Sequence, residues 1–100
     1  MIEMNNVNEI KGILAKHKGE LESKYNVKEL GIFGSFARGE QKKTSDVDIL
    51  VEFSKPIGFF KFLELEERLS KFLGVKVDLV SKRALKPRIG RHILKEVVAV

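Results

Sequence analysis

Gly34 and Ser35 close an apolar run, and after ten intervening residues Asp46-Val47-Asp48 opens the next one. Side chains two apart on a strand point the same way, so Asp46 and Asp48 would project from one face while Val47 and Ile49 pack on the other. Two carboxylates that close repel, and keeping both ionised calls for a cation or strong donors between them. Mg2+, a hard cation bound through carboxylates and substrate phosphates, suits the pair better than a soft metal. Gly34 allows close approach of backbone to a ligand. Ser35 offers a hydroxyl and an N–H at the start of the short segment Phe36 to Gly39, a turn able to hold phosphate oxygens. Arg38 alone reads as a solvated loop residue, but beside a phosphate cradle its fork of donors would bind phosphate oxygens well.

These residues need strands to hold them. Val27 to Phe33 is a short apolar run, too short for a helix, and reads as a strand ending at Gly34. Val47, Ile49, Val51 and Phe53 alternate with Asp48, Leu50 and Glu52, the period-two signal of a second strand closed by Pro56 and Gly58. Glu40 to Ser45, between the two, is polar and turn-like. Val75, Val77 and Leu79 mark a third strand, in which Asp78 falls in the opposite phase. If the second and third strands are neighbours, Asp78 joins Asp46 and Asp48; a solvent-facing strand residue is an equally good account of it.

Three helices complete the frame. Val7, Ile10, Ile13, Leu14, His17 and Leu21 recur at helical spacing up to about Lys24, with Asn5 or Asn6 as the cap. Phe59, Phe62, Leu65, Leu69, Phe72 and Leu73 mark one face of a second helix ending at Gly74, and an aromatic stripe at that spacing belongs to a core. Beyond Pro87, Ile89, Ile93, Leu94 and Val97 fit a last helix with Arg88, Arg91, His92 and Lys95 on its other faces, a solvated surface by default. His17 and His92 have no partner at metal-ligand spacing. The order of elements predicts an α+β domain, a small mixed β-sheet with helices packed on it.

One hundred residues, 43% of them hydrophobic, bury one modest core, so a single domain over residues 1–100 is expected. The absence of cysteine excludes a disulfide framework, thiol catalysis and a thiolate metal site. No apolar run approaches a membrane span, and Met1 to Asn5 lack the basic and apolar regions of a signal peptide. A cytoplasmic protein with no membrane partner is expected. The net charge of +5 is spread among interspersed charges of both signs, so direct nucleic-acid binding is not expected.

Gly-Ser, ten residues and Asp-x-Asp together are far rarer than either part. The string GSFARGEQKKTSDVDILVEF, residues 34–53, resembles the minimal nucleotidyltransferase (MNT) branch of the DNA polymerase beta-type nucleotidyltransferase superfamily. The Ala-Arg-Gly after the serine and the Ser-Asp before the second strand belong to the likeness. The resemblance implies a polymerase beta-like nucleotidyltransferase fold, with Gly34 and Ser35 holding nucleotide phosphates. Asp46 and Asp48 would bind catalytic Mg2+, as two ions, and Asp78 would complete the triad as candidate base. ATP would be the donor. Small members of this family commonly act as antitoxins paired with a HEPN-type ribonuclease toxin and can transfer AMP onto a toxin tyrosine, so the resemblance implies such a partner here. A contact-only binding module and a small-molecule transferase of the antibiotic-modifying kind are the alternatives; base preference and oligomeric state are left open. Residues after Pro87 match no chemical signature.

Overall fold

The computed structural model describes residues 6–42 and 45–100. Helix α1 (Val7–Tyr25) leads into strand β1 (Val27–Phe33), the single-turn helix α2 (Ser35–Arg38) and strand β2 (Val47–Phe53). Helix α3 (Phe59–Leu73), strand β3 (Val77–Ser81), a 3-10 turn (Lys82–Ala84), helix α4 (Pro87–Glu96) and strand β4 (Val98–Ala99) follow. The sheet order is β3-β2-β1-β4, with β1 antiparallel to both β2 and β4 and β2 parallel to β3. The expected mixed sheet with helices on it is therefore the fold.

Register explains which face is buried. Ile32 pairs with Ile49 and Leu30 with Val51, while Val47 and Ile49 pair with Val77 and Leu79. All seven side chains fall in one phase of the pleat, and all are buried with Ile10, Leu14 and Leu21 of α1 and Leu65, Leu69 and Leu73 of α3. The other phase carries Gly31, Asp48, Leu50, Glu52 and Asp78. Parallel pairing of β2 with β3 requires the crossover that α3 supplies. Edge strand β3 is shielded by the same helix: the Val77 N–H donates to Ser70 Oγ (3.0 Å) and the Leu79 N–H to Glu66 Oε2 (2.9 Å).

Caps set the helix ends. The Glu9 N–H donates to Asn6 Oδ1, and Asn26 and Gly74 take left-handed conformations after α1 and α3. Asn5, the other candidate cap, and the segment Met1 to Asn5 lie outside the described residues, as do Lys43 and Thr44 of the expected turn.

Four details depart from the sequence reading. Phe59, expected in the core stripe, is 70% exposed, because it opens α3 and the buried face begins a turn later at Phe62. The third strand starts at Val77, since Val75 still belongs to the turn out of α3, although it packs against the core. The short segment after Gly34 closes into a helical turn, in which Arg38 sits. Finally, α4 stops at Glu96, and Val97 and Val98 lead into a strand in which Ile32 pairs with Val98. Gly31 makes that approach possible, because a Cβ there would collide with Val97 Cγ2.

Candidate active site

The glycine-serine turn and Asp48 meet where β1 ends and β2 begins. Phe33 and Asp48 are cross-strand partners, so the turn that follows Phe33 lies against the side chain of Asp48. Gly34 holds φ +74°, and a Cβ built on it would drive into the Asp48 carboxylate. Both its conformation and its lack of a side chain are thus required at this position. The turn is closed by backbone bonds from Arg38 N–H to Gly34 C=O (3.2 Å) and from Glu40 N–H to Ser35 C=O (2.9 Å). Ser35, half-buried, opens α2 directly after Gly34.

On its other side Asp48 pairs with Asp78 in the parallel ladder. The neighbouring of these strands, on which the inclusion of Asp78 depended, is therefore found. Asp46 lies just before β2, fixed by the Val47 N–H bond to Lys76 C=O (3.0 Å), and its Oδ2 faces Lys76 Nζ at 3.9 Å. Burial pushes the Asp48 carboxyl up from its ordinary value, the charges of Asp78 and Asp46 push it further, and Arg38 pulls against them. A partly buried carboxylate crowded by like charges suits a hard cation, so the donor set fits Mg2+ in chemical type. Among the described residues, no three His, Asp or Glu side chains stand together in a geometry that would hold a metal ion as they are.

Sequence reasoning missed Glu96. From the last turn of α4 its Oε1 accepts the Gly34 N–H (3.1 Å) and its Oε2 accepts Arg38 Nη1 (3.0 Å). Arg38 Nε also donates to Glu40 Oε2 at 3.2 Å. These bonds hold Glu96 below the usual carboxylate range, Arg38 contributing most and the Gly34 N–H next, and they raise the Arg38 guanidinium further. Nothing local could have flagged Glu96, which lies 62 positions from Gly34. Of the isolated histidines, His17 stacks on Phe72 with ring centroids 3.8 Å apart, and His92 is exposed.

A four-stranded mixed sheet with a glycine-serine turn set against carboxylates from adjacent strands is the frame of a nucleotidyltransferase. Residues 14–100 match the family model described as Nucleotidyltransferase domain, and the chain belongs to that family. Protein adenylyltransferase MntA of Thermococcus cleftensis is 50% identical over 97 residues, covering 97% of this chain and 98% of that relative. A solved structure assigned as a minimal nucleotidyltransferase superposes with a TM-score of 0.74 at 32% identity, over 91% of this chain and 95% of the other. The tri-AMPylated Shewanella oneidensis HEPN toxin in complex with MNT antitoxin gives a TM-score of 0.66 at 20% identity, covering 90% of this chain and 70% of that one. At that identity the likeness is one of fold.

Proposed function

We propose that this chain transfers AMP from ATP to a tyrosine hydroxyl of a HEPN-type toxin and thereby acts as its antitoxin. The observation that carries the reading is the contact of Gly34 with Asp48, which puts a turn suited to phosphate and a carboxylate suited to a cation on one surface. Similarity to a protein adenylyltransferase along nearly the whole chain supports ATP as donor and a protein as acceptor. The shared fold with an antitoxin bound to an AMPylated HEPN toxin supports that class of partner.

On this reading the Gly34 N–H, Ser35 and Arg38 bind the triphosphate. Asp46, Asp48 and Asp78 would hold Mg2+, which when bound neutralises charge on the departing pyrophosphate. Asp78 is exposed on its strand, open to an incoming acceptor. It takes the hydroxyl proton as the tyrosine oxygen bonds to the α-phosphorus and the bond to pyrophosphate breaks.

The test is mass spectrometry of the partner toxin after incubation with this chain, ATP and Mg2+. One AMP mass per modified tyrosine is expected, and none with the Asp46→Ala, Asp48→Ala protein, with which toxicity should return. A folded double variant that still protects cells fully would move the reading to neutralisation by contact. One feature favours that second reading: Phe59 and Phe60 are 70% and 84% exposed, and Phe59 borders a groove of about 680 Å³ with Phe53, Pro56 and Phe62. This groove lies at the opposite end of β2 from Asp48.

A further inference from the structure

Glu96 contributes both carboxylate oxygens to the turn, one to the Gly34 N–H and one to Arg38. A backbone N–H and a guanidinium converging on two oxygens of one anion is also how a phosphate is held. The backbone donor is the limiting one of the two. The Gly34 N–H has a single hydrogen, and Glu96 already takes it. Glu96 also adds to the negative charge acting on Asp48, beside Asp78 and Asp46. A polyanionic nucleotide therefore meets both a competitor for its donors and a like charge in the same place.

We propose that Glu96 is the resident anion of the phosphate cradle: a nucleotide phosphate takes over the Gly34 N–H and Arg38 by displacing it, and so frees the last turn of α4. The inference rests on the nucleotidyltransferase reading above and deepens it, making Glu96 a determinant of nucleotide affinity. The segment has somewhere to remain when Glu96 lets go. Val98 and Ala99 stay paired with β1, and the Val100 N–H donates to Leu30 C=O at 3.0 Å. Displacement thus loosens the end of α4 without detaching the terminus from the sheet.

The experiment is titration calorimetry of the full chain with ATP and Mg2+, wild type against Glu96→Gln. Glutamine keeps the size and an acceptor oxygen but removes the charge that competes with phosphate. ATP should bind the variant about tenfold more tightly. Unchanged or weaker binding would overturn the proposal, because Glu96 would then merely support Arg38 for the phosphate. Failure of both proteins to bind ATP would defeat the nucleotide reading, and the displacement with it. A second measurement needs no variant and covers the case in which Glu96→Gln does not fold. Amide hydrogen exchange at Glu96 and Val97 in the wild type should speed up when ATP and Mg2+ are added, and slowed or unchanged exchange would again overturn the displacement.

Discussion

Asp48 and Asp78 are direct partners across the parallel β2–β3 ladder, with the partly buried carboxyl of Asp48 facing a like charge from the adjacent strand. That juxtaposition costs the folded state something at neutral pH.

Asp48 binds its proton more tightly folded than unfolded, where 3.8 is its ordinary value. Its contribution to stability is therefore fully present below that value, and is lost as pH rises from there through the raised folded value. Asp48→Asn should raise the melting temperature at pH 7 in metal-free buffer and abolish AMP transfer. The gain should vanish below the ordinary carboxylate range. Thermal denaturation across pH 3 to 7, paired with a transfer assay, checks both parts.

Gly34→Ala places a methyl against the Asp48 carboxylate at φ +74°, a region that alanine disfavours. A loss of about 1–3 kcal/mol is expected from the backbone strain, together with a fall in ATP affinity because the turn must shift. Urea denaturation and calorimetry on one preparation would separate the two effects. A variant as stable as the wild type would show that the turn relaxes freely.

Gly31→Ala should collide with Val97 and weaken the seating of the C-terminal strand, costing about 1–3 kcal/mol. Removing the obstacle with Val97→Ala should recover part of that loss. The double-mutant cycle reads the coupling directly, and simple additivity would mean that the two sites are independent.

Ligand binding should appear as stability. With ATP and Mg2+ at about one hundred times the dissociation constant, the wild type should gain about 2.7 kcal/mol. The Asp46→Asn, Asp48→Asn double variant should gain little, and chelation should remove the gain in the wild type. Equal protection with and without the metal would detach these aspartates from nucleotide binding.

Much of this was legible because it is local. The alternation of Val47, Ile49 and Val51 with Asp48 and Leu50 is a property of one strand. The spacing from Gly34 to Asp46 is a property of one stretch of chain, so both survive in a linear reading. Helical periodicity likewise marked Ile10, Leu14, Leu65 and Leu69, all of which are fully buried.

What only the tertiary structure decided concerns pairs of distant segments. Asp78 joins Asp48 because β3 lies parallel to β2 beyond a helical crossover, and strand neighbourhood leaves no mark in either strand taken alone. Phe59 and Phe60 share the apolar character of the buried stripe, yet they stay exposed in the first turn of α3, ahead of the side chains from Phe62 onward that pack on the core. Val97 and Val98 continue an apolar pattern that helical periodicity would extend, but hydrogen bonding to the free edge of β1 beside Gly31 outweighs one more helical turn. That same pairing brings Glu96 to Gly34 and Arg38. Its carboxylate acquires a role only through the partners it meets there, because hydrogen bonds between residues far apart in the chain depend on where the fold places them.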